Sequence, residues 1–74
     1  IERDRFADQA ELLQQVQQAV LELPLKQRLV FNLRYYDGMS YGQIARVLGQ
    51  REQTLKVNYH YAVQKLKEKL TQEI

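Results

Sequence analysis

The sequence of 74 residues contains no cysteine and no tryptophan, and it has only one proline. Without cysteine, neither disulfide bonds nor a thiolate metal site can stabilise so small a chain. No unbroken apolar run exceeds three residues, as at residues 29–31, whereas a bilayer requires about 20. The sequence therefore excludes disulfide-stapled and membrane-spanning proteins, and its core must come mainly from Leu and Val. Because it begins with Ile1 and shows no signal-peptide pattern, we interpret it as a piece of a longer chain or a processed fragment.

The charge is small overall but unevenly placed. The formal net charge is +2, yet residues 1–38 carry −1 and residues 39–70 carry +4. A basic half beside a nearly neutral half favours a surface that faces a polyanion. Lys and Arg near helix C-termini also complement the helix dipole, so charge alone leaves a plain solvated surface as an equal alternative.

Apolar spacing and punctuation predict four helices, at about residues 8–22, 24–36, 40–48 and 52–71. Asp8 and Glu11 resemble a capping box at the start of the first helix. Pro24 cannot continue that helix but can open the second, which Gly38 follows. No strand-like alternation occurs over a useful length. We therefore predict one all-α domain spanning residues 1–74.

Each predicted helix has an apolar stripe that we expect to face the core. The expected inner residues are, in helix order, Leu12, Leu13, Val16, Ala19, Val20 and Leu23; Leu25, Leu29, Val30 and Leu33; Ile44, Ala45 and Leu48; and Leu55, Tyr59, Ala62, Val63, Leu66 and Leu70.

Residues 40–70 have the outline of a helix-turn-helix. Ser40 and Gln43 form a second capping box pattern. Ala45 is small enough to let the next helix cross closely, and Gly49 stands where the chain must turn sharply. The same features occur in other tight corners between two helices, so spacing alone leaves that alternative open.

The last helix carries an unusual outer face. If Leu55 and its stripe are buried, Gln53, Val57, His60, Tyr61 and Gln64 fall on the opposite side, with Lys56 on one flank and Thr54 and Asn58 on the other. Gln and Asn can pair with adenine edges, Lys reaches guanine or phosphate, and Val packs on the thymine methyl. These residue types suit a DNA major groove.

The segment from Leu23 to Ala45, LPLKQRLVFNLRYYDGMSYGQIA, resembles conserved region four of bacterial sigma factors, and most closely that of the extracytoplasmic-function group. The resemblance continues through Val47-Leu48-Gly49, Thr54-Leu55-Lys56 and His60-Tyr61-Ala62, and covers about residues 10–70. It implies a four-helix fold without a wing.

The resemblance also implies a function: recognition of the −35 promoter element in duplex DNA and docking on the β-subunit flap of core RNA polymerase, in the cytoplasm. The implied base-contact candidates are Lys56, Val57, Asn58, His60 and Tyr61, to which the outer-face argument adds Gln53. The phosphate-contact candidates are Ser40, Tyr41 and Thr54 from the resemblance, together with the basic Arg46 and Arg51.

This sequence departs from the family pattern at the start of the last helix. Arg51 stands where the family usually has a Ser as N-cap, and it cannot accept a hydrogen bond there. Gln53 stands where Gly is common, and Val57-Asn58 where Ser-Arg is common. The departures leave the recognised base sequence open.

Two alternatives remain at this point. One is a helical module that binds a protein such as an anti-sigma factor, and the other is the helix-turn-helix tail of another regulator. Enzymatic activity has no residues to support it, since no nucleophile lies beside a base. His60 is the only histidine, so we expect no metal site and no cofactor.

Overall fold

The computed structural model describes the backbone of residues 2–73 and the side chains of residues 9–71. Four α-helices follow one another: α1 (Glu2–Leu21), α2 (Leu25–Phe31), α3 (Tyr41–Leu48) and α4 (Glu52–Glu73). A π-helical segment, Asn32–Tyr36, continues α2. Residues 2–73 contain no β-strand, and the predicted all-α class is confirmed.

Helix α1 begins six residues earlier than predicted, at Glu2 rather than near Asp8. The backbone at Asp8 is helical, so the predicted capping box with Glu11 does not mark the helix start. The side chain of Asp8 lies outside the described residues. Residues 2–8 contain neither Gly nor Pro, and without such a breaker the helix extends toward the N-terminus.

The second predicted helix is α-helical only in its first half. Pro24 is its N-cap, and the carbonyl of Pro24 accepts the Arg28 N–H at 2.9 Å. After Phe31 the hydrogen bonding becomes π-helical. This wider turn brings both Tyr35 and Tyr36 against Phe31, with ring centroids 5.2 and 6.0 Å away. The apolar spacing predicted a continuous α-helix here because it carries no signal for the aromatic packing.

The turn of the helix-turn-helix forms as predicted. The Gln43 N–H donates to Ser40 Oγ at 3.1 Å, and the Ser40 N–H donates to Gln43 Oε1 at 3.0 Å. Gly49 ends α3 with φ +66°, a left-handed conformation that disfavours any residue with a β-carbon. The capping box and this glycine together fix where α3 starts and where the chain turns into α4.

Two buried clusters hold the helices together. The first joins α1, α2 and α4 and contains Ala19, Val20, Leu23, Phe31, Ala62 and Leu66. The second lies between α2 and the helix-turn-helix and contains Val30, Ile44 and Leu55. The half-buried Tyr59 packs against both. The predicted inner stripe of α4 is confirmed from Leu55 to Leu66, whereas the half-buried Leu70 lies in neither cluster. Both α2 and α4 contribute to the two clusters.

Part of the predicted core is exposed. Leu12 and Leu13 on α1 and Leu25 and Leu29 on α2 all face solvent. Within the described residues, α1 joins its cluster only from Val16 onward. Leu12 and Leu13 line an open apolar groove together with the exposed Tyr35 and Tyr36, and this groove leaves them accessible to solvent.

Candidate nucleic-acid interface

The rotation of α4 about its axis decides which side chains it presents. Leu55 and Ala62 are completely buried, whereas Val57 is 45% and Tyr61 51% exposed. His60 is also exposed. A helix with a period of 3.6 residues that buries the first two residues must turn the other three outward. The structure therefore gives α4 the outer face that the sequence predicted.

The remaining base-contact candidates lie around this face. Gln53 and Lys56 are exposed, and Asn58 is half-buried on one flank. The rings of His60 and Tyr61 lie 6.0 Å apart at a tilt of 56°. Val57 lies between these polar and aromatic groups, so the surface combines donors, acceptors and one branched apolar side chain.

On one flank of α4, two cations meet the aromatic ring of Tyr41. The guanidinium carbon of Arg34 lies 4.9 Å from the ring centroid, and Lys56 Nζ lies 5.8 Å from it. Arg34 also donates a hydrogen bond to the carbonyl of Met39 at 3.0 Å. These contacts link the start of α3 to the exposed side of α4 and concentrate positive charge there.

Tyr59 packs against the same group from the interior, with its ring 6.2 Å from that of Tyr41. Burial, and then the nearby Tyr41 phenol, raise the pKa of Tyr59 above its ordinary value of 10.0, although the Arg34 charge opposes this. The Tyr59 phenol is therefore neutral at physiological pH and acts as a packing group beneath the charged flank.

The first turn of α3 keeps unused donors. The capping box occupies the backbone N–H groups of Ser40 and Gln43. The N–H groups of Tyr41 and Gly42 belong to the first turn, whose donors have no intrahelical acceptor. The Ser40 hydroxyl accepts one bond and can still donate its proton. This turn can therefore present three donors to an anion.

The other flank of α4 borders an open cleft of about 520 Å³. Its lining residues are Lys26, Gln50, Arg51, Thr54 and Asn58. The Arg51 carbonyl accepts the Leu55 N–H at 3.1 Å, so Arg51 holds the N-cap position of α4 although its side chain cannot cap. That side chain is exposed beside the cleft.

The profile of the family "Sigma-70, region 4" matches residues 13–66 of the sequence. This chain belongs to that family. The match covers α2, the π-helical segment and α3 completely, and α4 through its last buried residue, Leu66. No curated protein matches the sequence.

Sigma-70 region 4 is a helix-turn-helix domain that in general binds the −35 element and core RNA polymerase. It has a regulatory role and not a catalytic one. The sequence had left open the possibility that the chain is the helix-turn-helix tail of another regulator. Membership of this family excludes that alternative.

Two basic residues of this region 4 domain were not predicted from the sequence to belong to the site. Arg34 and Lys26 entered only the count of charges, yet Arg34 lies on the Tyr41 ring and Lys26 lines the cleft beside Arg51. No local pattern connects positions so far apart along the chain.

The candidate Arg46 is exposed on α3, and its Nε donates a hydrogen bond to the Gly42 carbonyl at 3.5 Å. This bond leaves the two terminal nitrogens of Arg46 free to bind another group.

Neither a cluster of metal-ligating side chains nor a membrane span is present in the described part of the domain. Residues 9–71 contain no group of three or more His, Asp or Glu side chains placed to hold a metal ion. No described helix is long and apolar enough to cross a membrane.

Proposed function

We propose that this region 4 domain comes from a sigma factor of the extracytoplasmic-function type and reads the −35 element through the outer face of α4. The observation that carries the proposal is the exposure of Val57, His60 and Tyr61 on the second helix of a helix-turn-helix whose opposite side is buried. Apolar and aromatic side chains facing outward at this place gain nothing from solvent, whereas base edges and thymine methyls complement them.

In the proposed complex the first half of α4 enters the major groove. We call its outer face the reading head, which consists of Gln53, Lys56, Val57, Asn58, His60 and Tyr61. Gln53 and Asn58 offer the paired donor and acceptor that adenine requires, and Lys56 offers donors for guanine. Val57 provides the apolar contact for a thymine methyl. His60 and Tyr61 add polar atoms further along the same face. Specificity in this proposal comes from these side chains, and affinity from the surrounding phosphate contacts.

Phosphate contacts are proposed on both flanks of the reading head. The donors of the α3 first turn, at Ser40 and Tyr41, favour an anion through unpaired N–H groups and the helix dipole. Arg51 and Thr54 offer a cation and a hydroxyl on the other flank. Arg46 on α3 adds a second basic group, and its place on the outer side of that helix suits a phosphate further along the backbone.

The proposal includes a second surface, for the flap of the RNA polymerase β subunit. Leu12, Leu13, Tyr35 and Tyr36, together with Val16 and Gln9, line an apolar groove of about 370 Å³. A groove of this kind suits an apolar helix from a partner. Among the other apolar residues of α1 and α2, Leu21 and Leu25 are also exposed. Val20 and Phe31 are buried and belong to the core.

An anti-sigma factor is a second candidate partner, because the exposed Val57 and Tyr61 can also pack against protein. Occupation of the outer face by such a partner excludes DNA at the same time. Both roles place the protein in the cytoplasm, where bacterial promoters and polymerase are found.

Binding to duplex DNA tests the proposed function directly. We expect the purified domain to enrich one short motif from a pool of random duplexes. Affinity for the enriched duplex should fall about 100- to 1,000-fold between 50 and 200 mM salt, as expected for about four or five phosphate contacts. Tyr61→Ala should change the enriched motif or weaken binding, with an unchanged unfolding transition, since the side chain is exposed. The motif is read by sequencing and the affinity by fluorescence anisotropy.

Absence of any enriched motif, with no duplex binding at 50 mM salt, is the result that contradicts the proposal. If the domain instead forms a salt-insensitive complex with a protein partner alone, the interaction-module reading replaces it.

A further inference from the structure

The cleft beside the start of α4 has an unusual lining. Two of its five residues are cations, Lys26 and Arg51, and they come from different helices. The other three lining residues are polar and uncharged, and no carboxylate lines the cleft. A concave surface lined by one sign of charge focuses the electrostatic potential and attracts a counter-ion. The cleft is thus suited to an anion.

Both cations of the cleft are available to a ligand in the free domain. An anion in the cleft is attracted by both charges. Neither Lys26 nor Arg51 forms an ion pair or a side-chain hydrogen bond with another described residue. Both side chains are exposed, so folding does not require them to approach each other. Their common place in the cleft points to a bound group.

The cleft lies on the side of α4 opposite to Tyr41. Lys56 follows the buried Leu55 and Thr54 precedes it, so the two side chains project about 100° to either side of the buried direction. Lys56 reaches the Tyr41 ring, at 5.8 Å from its centroid, whereas Thr54 lines the cleft. The reading head therefore lies between the start of α3 on one side and the cleft on the other.

A helix in the major groove has one sugar-phosphate strand on each side, because the groove is about 12 Å wide and accommodates a single helix. If the start of α3 binds phosphate on one strand, the cleft faces the other strand. This step rests on the proposed function, since it requires the outer face of α4 to enter DNA.

We propose that Lys26, on α2, is a DNA-contacting residue, and that Lys26 and Arg51 together bind one backbone phosphate of the strand opposite to the one bound by Ser40 and Tyr41. Thr54 donates its hydroxyl to the same phosphate. The contact fixes the depth and the register of α4 in the groove but selects no base, because phosphates carry no sequence information.

Lys26→Gln tests this inference in the 74-residue domain, on the duplex enriched by the wild type. One lost phosphate contact lowers the slope of log affinity against log salt by about 0.9. The wild type should therefore lose about threefold more affinity than Lys26→Gln between 50 and 200 mM salt. The enriched motif should stay the same. Lys26→Arg should restore both the affinity and the slope.

Lys67→Gln is the matched control for net charge. Lys67 is exposed on α4, about 24 Å along the helix from Arg51. We expect the slope of log affinity against log salt for Lys67→Gln to equal that of the wild type.

The strand that Lys26 contacts is identified with duplexes that carry one neutral methylphosphonate in place of a phosphate. At one position, on the strand away from Ser40, the neutral group should weaken the wild type more than it weakens Lys26→Gln or Arg51→Gln, because each variant has already lost one of the two cations on that phosphate.

The outcomes separate this inference from the proposed function. If the wild type binds DNA with a steep salt dependence while Lys26→Gln and Lys67→Gln behave alike, Lys26 is not a phosphate contact, although the proposed function stands. If every methylphosphonate position weakens Lys26→Gln as much as it weakens the wild type, the shared phosphate is refuted. If the wild type binds no duplex, the proposed function fails and the inference fails with it.

Discussion

Leu55→Ala is expected to lower the free energy of unfolding by about 3 kcal/mol. Leu55 is completely buried with Val30 and Ile44 in the cluster between α2 and the helix-turn-helix. Alanine removes its apolar contacts and leaves a cavity, because the surrounding helices can close only part of the space. A domain of this size has a total stability of roughly 4–11 kcal/mol, so the loss is a large fraction of it. Urea denaturation followed by circular dichroism measures the change.

Val57→Ala is the matched control, two residues further along α4. Val57 is exposed, and alanine has the higher helix propensity, so stability should change by less than about 0.5 kcal/mol. DNA affinity should fall, because the thymine contact is lost. If Val57→Ala were as destabilising as Leu55→Ala, Val57 would be part of the core and the orientation of α4 would be wrong.

Phe31→Ala is expected to cost about 4 kcal/mol of unfolding free energy, the largest effect of any substitution considered for this domain. Phe31 is buried and stacks on both Tyr35 and Tyr59, with ring centroids 5.2 and 5.9 Å away. Its removal therefore opens the contact between α2 and α4 and takes away the support of the π-helical segment. The midpoint of urea denaturation should fall strongly, and at 37 °C a considerable fraction of the protein should be unfolded.

Tyr35→Ala tests whether Phe31 stabilises the domain through its contacts in the core or through its stacking on the exposed Tyr35. Tyr35 is 63% exposed, and a stacked pair is worth about 1 kcal/mol. We therefore expect Tyr35→Ala to lower the free energy of unfolding by about 1 kcal/mol and no more. An equal loss for Tyr35→Ala and Phe31→Ala contradicts the assignment of Phe31 to the core between α2 and α4.

Much of the helix-turn-helix could be predicted from the sequence because its signals are local. The capping box of Ser40 and Gln43 and the left-handed Gly49 each follow from the chemistry of a few neighbouring residues. The outer face of α4 follows from the helical period once Leu55 is placed inside. Prediction succeeds here because the local preferences and the tertiary packing agree.

The first two helices were less predictable for a physical reason. Periodicity shows which side of a helix is apolar, but it cannot show how far along the helix a partner covers that side. Leu12 and Leu13 belong to the apolar side of α1 and still face solvent, because they line an open groove with Tyr35 and Tyr36. The π-helical turn likewise depends on packing between Phe31, Tyr35 and Tyr36.

The residues of the candidate site also fall into two groups, those that the sequence could predict and those that only the tertiary structure brings to the site. The residues on α4 could be named from the sequence because they share one helix face. Lys26 and Arg34 could not, because each reaches the site from another element: Lys26 through the approach of α2 to the start of α4, and Arg34 through the ring of Tyr41. Only the tertiary structure brings them to the flanks of the reading head.

The central claim is that the outer face of α4 contacts DNA, and amide chemical-shift mapping tests it most directly. The ¹⁵N-labelled domain is titrated with the enriched duplex, and the shift of each backbone amide is followed. We predict that the largest changes fall on residues 51–61 and on Ser40 and Tyr41, while Leu12, Leu13 and Tyr36 stay nearly unchanged. Large changes confined to α1 and the π-helical segment, with residues 51–61 unaffected, would contradict the claim.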